Sequence, residues 1–297
     1  MATGERRAAP LGRSELAARP VVSTPAAISK LMAALVALAL VLGVVGCQGR
    51  VKVGPLETET ISTELSGARA VDAKIVMGAG TLNIAGGSAR LLDAEFRYNV
   101  AEWKPRMDYK VSEGHGTLLV EQPHTGKTSL AARIHNEWDL KLAENVPLNL
   151  AIEMGAGRGR LDLGSLSLGK LNINAGAGQL EVDLTGTPSV TRLDLKFGAG
   201  AVKLDLTGEW KADLDAHIDG GVGAATLRLP TDVGVRVTAK HGFGSVNAGG
   251  FARDGDAYVN EAYGNSKVTL NINVATGLGE INLEQGSSAE ESGDTGT

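Results

Sequence analysis

The chain of 297 residues is poor in cysteine and in aromatic residues, with one Cys, three Trp, four Tyr and four Phe. A single cysteine excludes a disulfide bond within the chain. The sequence contains no HExxH or paired-histidine spacing of a zinc site, and no G-x-S-x-G nucleophile motif. These absences exclude the commonest metalloenzyme and serine-hydrolase patterns. We therefore expect a protein that is not an enzyme and needs no metal and no cofactor.

Acidic residues outnumber basic ones after the first 46 residues. The formal net charge is -5 at pH 7. Residues 1–46 hold five bases and two acids, which leaves 24 bases and 32 acids in the rest of the chain. An acidic chain without a basic patch is a poor partner for nucleic acid, so we expect no nucleic-acid binding.

The only cysteine stands at the end of an apolar run. Residues 31–46, LMAALVALALVLGVVG, carry no charge and follow Lys30 and a leader that contains several arginines. A membrane-spanning helix needs about 20 apolar residues, so this shorter run favours a signal peptide.

The tetrad Val44-Val45-Gly46-Cys47 resembles the lipobox of bacterial lipoproteins. The resemblance implies signal cleavage between Gly46 and Cys47 and a lipid on the Cys47 thiol, with palmitate as a suitable label. Several acyl chains, at about 0.8 kcal/mol per buried methylene, would hold the protein on the extracytoplasmic side of a bacterial membrane. The alternative is an inert, buried cysteine at the end of an N-terminal anchor helix.

Changes of pattern along the sequence divide the chain into five segments. They are a signal peptide (1–46), a polar tether (47–70), an N-terminal β module (71–145), a repeat domain (146–285) and a disordered acidic tail (286–297). Within the module, RMDYKV, GTLLVEQ and EWDLKL alternate as strands of antiparallel hairpins do. The tail has the low complexity and high charge of a disordered segment.

A Gly-x-Gly motif recurs seven times between stretches of alternating apolar residues, and its central copies are 21 to 23 residues apart. A period near twenty predicts a β-solenoid. The predicted fold is therefore all-β, with an antiparallel β module followed by a β-solenoid. The glycines are Gly78 and Gly80, Gly155 and Gly157, Gly176 and Gly178, Gly198 and Gly200, Gly221 and Gly223, Gly242 and Gly244, and Gly277 and Gly279.

These glycines are predicted to be structural. A dinucleotide fingerprint needs a third glycine and a following helix, whereas here a strand follows each pair. We interpret the pairs as tight turns at which glycine supplies a positive φ.

Three weaker patterns leave alternatives open. Asp254, Asp256, Asn260 and Glu261 loosely resemble a calcium loop but lack a ligand and the loop glycine. A carbohydrate-active β-helix enzyme would need acids on adjacent coils, for which the candidates are Asp162, Glu181, Asp183 and Asp205. A glycan-binding module would need exposed aromatic rings. The candidate rings are Phe197, Trp210, Phe243, Phe251, Tyr258 and Tyr263.

The stretches VDAKIVMGAGTLNIAGG and ARLLDAEFRYNVAEWKPRMDYKVSEGHGTLLVEQP resemble the N-terminal module of bacterial toast-rack envelope proteins. The later stretches GGVGAATLRLPTDVGVRVTAKHGFGSVNAGGF and YVNEAYGNSKVTLNINVATGLGEINLE resemble their repeat region, which also occurs in LiaF-like proteins of the cell-wall stress response. The resemblance implies a β-solenoid in the cell envelope and brings no catalytic residues. We expect a scaffold, adhesion or stress-response protein whose partner is an envelope protein or the cell wall, with self-association as a further possibility.

Overall fold

Alternation of apolar and polar residues produces strands along almost the whole described chain. The computed structural model describes residues 52–123, 134–186 and 188–286. Its strands are β1 (Glu57–Thr63), β2 (Ala70–Ser88), β3 (Leu92–Tyr98), β4 (Arg106–Ser112), β5 (His115–Glu121), β6 (Asn136–Ala143), β7 (Leu148–Asp162), β8 (Leu168–Asp183), β9 (Arg192–Asp205), β10 (Leu214–Pro230), β11 (Gly234–Asn247), β12 (Ala252–Asp254), β13 (Ala257–Val259) and β14 (Thr269–Gly286). The only helical element in these residues is a 3₁₀ turn at Ala101–Trp103. The predicted all-β solenoid class is confirmed.

The seven strands that carry a Gly-x-Gly pair lie side by side in parallel, in the order β2, β7, β8, β9, β10, β14 and β11. The second glycine of each pair stands opposite the second glycine of the next. We call this column the glycine ladder. Its members, in spatial order, are Gly80, Gly157, Gly178, Gly200, Gly223, Gly279 and Gly244. The last strand in the sequence, β14, therefore lies between β10 and β11.

The N-terminal strands continue the same sheet. The three stretches predicted as strands are β4, β5 and β6, and β4 and β5 form an antiparallel hairpin. β5 and β6 each run parallel to one half of β2, and β3 joins β6 in antiparallel fashion. The sheet is continuous across residue 146, where the sequence analysis divides module from repeats. Residues 57–63, assigned to a tether, instead form β1 on the edge of β3, where half-buried Glu59, Ile61 and Thr63 alternate with exposed residues.

The buried positions change parity across each glycine pair. In β8 the buried residues are Leu171 and Ile173 before the pair, and Leu180 and Val182 after it. An odd separation would put the two sets on opposite faces of a regular strand, because side chains alternate from residue to residue. The positive φ of Gly178 interrupts that alternation, and both sets belong to one continuous hydrophobic core.

The predicted signal peptide, the lipid site at Cys47 with its cleavage position at Gly46, and the tail beyond Gly286 lie outside the described residues. Among the residues that are described, no helix is long and apolar enough to cross a membrane.

Candidate functional site

The glycine pairs lie inside continuous strands rather than at strand ends. The second glycine of every pair has a φ between +133° and +147°. The first glycines are not among the described residues with positive φ. The predicted positive φ is therefore found at the second glycine of each pair, but the predicted tight turn is corrected, since each pair marks a bend within one strand.

Close approach of neighbouring backbones is the second reason for glycine. An ideal Cβ on Gly178 would overlap the carbonyl oxygen of Gly157, and the same overlap recurs at each step of the glycine ladder. The first glycines have this constraint too, because a Cβ on Gly176 would collide with the carbonyl oxygen of Gly155. Any side chain here would push the strands apart.

The β2 end of the ladder is closed by buried amide side chains. Gln122 Oε1 accepts hydrogen bonds from the backbone N–H groups of Gly78 (2.9 Å) and Ala79 (3.4 Å). Asn136 Nδ2 donates to the Ala79 carbonyl (2.6 Å) and to Gln122 Oε1 (3.0 Å). Trp138 Nε1 donates to Asn136 Oδ1 (3.0 Å) and fixes that amide. These side chains replace the backbone of a further strand.

No sequence motif points to this amide cap. Gln122 and Asn136 are 7% and 5% exposed; Gln122 directly follows β5 and Asn136 is the first residue of β6. The available signal is weak, namely two amides at the ends of strands in which apolar and polar residues alternate. Their approach to Gly78 depends on the pairing of β5 and β6 with β2, which local sequence does not reveal.

The β11 end of the ladder is open. Outside β11, the short strand β13 pairs only with Arg236–Thr238. From residue 239 to residue 247, the outer edge of β11 has no strand partner within the described ranges. The middle residues of the glycine pairs also enlarge toward this end. In spatial order they are Ala79, Ala156, Ala177, Ala199, Val222, Leu278 and Phe243.

A shallow groove of about 850 Å³ crosses the strands beside the first glycines. Its polar rim is a column in register on four neighbouring strands, formed by Glu153, Asn174, Lys196 and Asp219. The floor is glycine backbone with the buried side chains of Met154 and Phe197. Charges of both signs, an amide and an apolar floor suit non-covalent binding of an extended ligand across the strands.

Three of the four candidate catalytic acids come together on the other half of the strands. Asp162, Asp183 and Asp205 are neighbours in register on β7, β8 and β9. Asp183 Oδ1 accepts the Thr185 N–H (2.7 Å), and Asp205 Oδ1 accepts the Thr207 N–H (2.9 Å). These are Asx-type turns, in which an aspartate stabilises the chain just after a strand.

The remaining contacts of the acids are also structural. Asp205 Oδ2 lies 3.2 Å from Arg228 Nη1, and Glu181 lies in the adjacent column, 3.5 Å from Arg160 Nε. Burial raises the pKa of Asp162 above its ordinary value, and the nearby Asp183 and Glu144 carboxylates raise it further. Burial first, and like charges second, therefore account for the raised pKa, and both also occur in structural sites.

The loose calcium pattern is not assembled as a loop of ligands. Asn260 is buried, its Oδ1 accepts the Val235 N–H (2.9 Å), and its Nδ2 donates to the carbonyls of Pro230 and Val233. Asp256 is exposed and 3.8 Å from Arg236. In the described ranges no group of three or more His, Cys, Asp or Glu residues is placed to hold a metal ion.

The histidines and aromatic rings are dispersed. His115 lies 2.9 Å from Asp72, His135 lies 3.4 Å from Glu137, and His217 and His241 are exposed on different strands. His124 lies outside the described residues. Of the six candidate rings only Phe243 is exposed. Phe197 and Trp210 are buried, and Phe251, Tyr258 and Tyr263 are half-buried. An extended stacking platform for sugars is therefore not formed by these six rings.

The profile of the N-terminal domain of toast-rack (DUF2154) matches residues 52–190 and 187–228. The chain belongs to the toast-rack family. A solved structure similar to this chain, a proposed cell adhesion protein from Clostridium sporogenes, is 32% identical with a TM-score of 0.61, over 78% of this chain and 100% of that chain.

More distant solved structures add little to the toast-rack assignment. A proposed adhesin from Bacteroides fragilis shares 12% identity at a TM-score of 0.26, over 80% of this chain and 100% of that chain. A proposed lipid binding protein from Parabacteroides distasonis shares 11% identity at a TM-score of 0.27, over 78% and 97%. Similarity this low carries no functional information. A comparison with curated proteins gives no match.

Proposed function

We propose that this toast-rack protein is a lipid-anchored, extracytoplasmic surface protein that acts by adhesion or as an envelope scaffold, without catalysis. The observation that carries the proposal is the 32% identity to the proposed adhesion protein of Clostridium sporogenes across the whole of that chain. The sheet supports it, because its outer columns are solvated and of mixed charge, as a surface for contact with an envelope protein or the cell wall requires.

In this proposal Cys47 is the attachment point. Nine residues, 48–56, separate it from the start of β1 at Glu57. Fully extended, they reach about 30 Å. Within the sheet, the open β11 end lies at the opposite side of the strand order from β1, and in this proposal it is available to partners.

Metabolic labelling tests the anchor. Labelled palmitate should enter the wild-type protein expressed in bacteria and should not enter Cys47→Ser. Equal labelling of the two proteins, or none in either, contradicts lipid attachment at Cys47. A matched test of surface function uses beads coated with the protein, which should bind cell envelopes equally well when made from wild type and from Cys47→Ser.

A second candidate function is binding of an envelope polysaccharide, favoured by the groove with its polar rim. Lys196→Ala should weaken sedimentation of the protein with purified cell walls. Lys203→Ala, on the other half of the same strand, is the matched control. Equal binding by all three proteins removes the groove from consideration.

The enzyme alternative has a direct test of its own. A variant with Asp162, Glu181, Asp183 and Asp205 changed to Asn or Gln is compared with the wild type on envelope polysaccharides, with and without a chelator. We expect no turnover from either protein. A cleavage activity that the variant or the chelator abolishes would replace the adhesion proposal with a hydrolase.

A further inference from the structure

A separate cavity of about 430 Å³ lies on the polar face of the N-terminal strands. Small-ligand pockets have volumes of about 300–1,000 Å³. The walls of this cavity are two columns of side chains, and its floor is the strand backbone at Ala94, Leu140 and Ile84, whose side chains are buried. Across β3, β6, β2 and β7, one column consists of Glu95, Asp139, Asn83 and Arg160, and the other consists of Asp93, Lys141, Ala85 and Asp162.

The charges of the first column are paired within the protein. Arg97 Nη2 donates a hydrogen bond to Asp139, and Arg97 Nε lies 3.4 Å from Glu95 Oε1. Arg160 Nε lies 3.5 Å from Glu181 Oε2 on the next strand. This wall therefore offers little uncompensated charge to a ligand.

The second column contains two charges without partners. Asp93 accepts hydrogen bonds from Ser62 (2.6 Å) and Arg90 (2.9 Å). Lys141 lies opposite Asp93 in register, but within the described residues its ammonium group makes no hydrogen bond and no ion pair. The same is true of the Asp162 carboxylate. The wall thus presents one free cation and one free anion.

The cavity keeps Asp162 apart from the nearest cation on its own strand. In β4, Lys110 and Asp108 are two residues apart and form an ion pair. Arg160 and Asp162 have the same spacing in β7, yet they form no ion pair and instead line opposite walls of the cavity. The space between the two walls is therefore open to a ligand.

Ala85 separates the two free charges. It lies on β2, between Lys141 on β6 and Asp162 on β7. Because neighbouring strands are about 4.8 Å apart, the Cα atoms of Lys141 and Asp162 are about 10 Å apart, and only a methyl group stands between them. Burial, with Asp183 and Glu144 nearby, raises the pKa of Asp162. A cationic group bound there would offset both effects.

We propose that this cavity binds a zwitterion of dipeptide size, with its ammonium group on Asp162 and its carboxylate on Lys141. Two extended residues are about 7 Å long, which suits a ligand that lies over Ala85 and contacts a charge at each end. Hydrogen bonds between ionised groups are stronger than those between neutral groups, so both ends contribute to affinity. This binding goes beyond the proposed adhesion function and does not depend on a lipid at Cys47, so the two ideas can fail separately.

Calorimetric titration of the full-length protein in detergent with alanylalanine tests the assignment. Two blocked peptides serve as matched ligands. N-acetyl-alanylalanine lacks the ammonium group, and alanylalanine amide lacks the carboxylate. The wild type should bind alanylalanine at least tenfold more tightly than either blocked peptide.

Variants assign the two ends of the ligand. Asp162→Asn should weaken alanylalanine binding at least tenfold and leave the binding of the N-acetyl peptide unchanged. Lys141→Gln should also weaken alanylalanine binding at least tenfold and leave the binding of the amide unchanged. The controls are Lys203→Gln and Asp215→Asn, at exposed positions outside the cavity, and both should bind alanylalanine as the wild type does. Circular dichroism should be the same for all five proteins.

Four outcomes overturn the proposal. The first is a wild type that binds none of the three peptides at millimolar concentration. The second is a blocked peptide that binds as tightly as alanylalanine, since one charge is then sufficient. The third is wild-type affinity in Asp162→Asn or Lys141→Gln. The fourth is an equal loss of affinity in the two control variants, which indicates a response to net charge and not to this cavity.

Discussion

The two ends of the glycine ladder are finished in different ways. At the β2 end, Gln122 and Asn136 supply the hydrogen bonds that a further strand would make to Gly78 and Ala79. At the β11 end, no strand of the described chain covers residues 239–247, and the largest middle residue, Phe243, is exposed. The comparison teaches that a repeating sheet is stopped by specific polar side chains, and that where they are missing the sheet can be extended.

The largest loss of stability is expected from a substitution in the interior of the ladder. This loss is the standard against which changes at the two ends are compared. Gly200→Val forces a β-branched residue into a φ of +133° and against the Gly178 carbonyl. Backbone strain alone should cost roughly 1–3 kcal/mol of unfolding free energy. Ala199→Val, at the exposed neighbouring position, should cost less. Urea unfolding of the two variants checks this, and equal unfolding midpoints would show that the glycine is not required by the fold.

Removal of the amide cap should have the next largest effect. Gln122→Leu removes the acceptor of the half-buried Gly78 N–H, which should cost about 1 kcal/mol or somewhat more. Ser245→Ala, at the open edge, is the matched change and should stay within about 0.5 kcal/mol of wild type. The double variant with Asn136→Ala should be less than additive, because both amides share one network. Thermal or urea unfolding measures both variants. Equal losses of stability for Gln122→Leu and Ser245→Ala would show that the two ends of the ladder do not differ in this way.

The pH dependence of stability compares a carboxylate of the N-terminal strands, Asp93, with one of the repeats, Asp162. We expect smaller changes in unfolding free energy here than for the glycine and amide variants. Hydrogen bonds from Ser62 and Ser88, and then Arg90, lower the pKa of Asp93 from 3.8 to about 2. A lowered pKa means that the carboxylate stabilises the fold above about pH 4, and that this contribution is lost as the pH falls toward 2. Asp93→Asn should therefore be less stable than wild type at pH 7, and the two should converge near pH 2. Urea unfolding at a series of pH values measures this. A difference in unfolding free energy between the two proteins that is the same at pH 7 and at pH 2 would contradict the prediction.

Replacing Asp162 should change the stability in the opposite direction from replacing Asp93, and by the smallest amount of the four predictions. Its pKa is raised by burial and by the neighbouring Asp183 and Glu144, so ionisation disfavours the folded state as the pH rises above the ordinary carboxyl range. Asp162→Asn should be slightly more stable than wild type at pH 7, with the gain disappearing below about pH 4. A loss of stability at pH 7 would mean that the carboxylate has a favourable partner in the fold.

The strands were predictable because alternation is a local property. Leu171 and Ile173 on one side of a pair, and Leu180 and Val182 on the other, already mark a half-buried strand in the sequence. The parity change between these sets was equally visible, but its meaning depends on the φ of Gly178, which local sequence does not specify.

The positions of the aspartate column, the amide cap and the open edge depend on which strands pair over long distances in the sequence. Asp162, Asp183 and Asp205 were grouped correctly because the glycine pairs mark equivalent positions in repeats of nearly equal length, and the strands pair in that register. Their use in turns could not be inferred without the positions of Thr185 and Thr207 relative to the strand ends. The amide cap and the open edge were missed because both depend on which strand lies next to β2 and β11.

The placement of β14 between β10 and β11 has a consequence for synthesis of the chain. Domains fold as the chain emerges, from the N-terminus onward. Strands β2 and β7 to β10 can stack as they are made, but β11 is completed at Asn247 while its neighbour begins only at Thr269. Until the last residues appear, β10 offers the Gly221 to Gly223 edge and β11 carries a matching glycine pair. The nascent protein must therefore keep these two strands apart, or separate them again, before its C-terminal strand can enter between them.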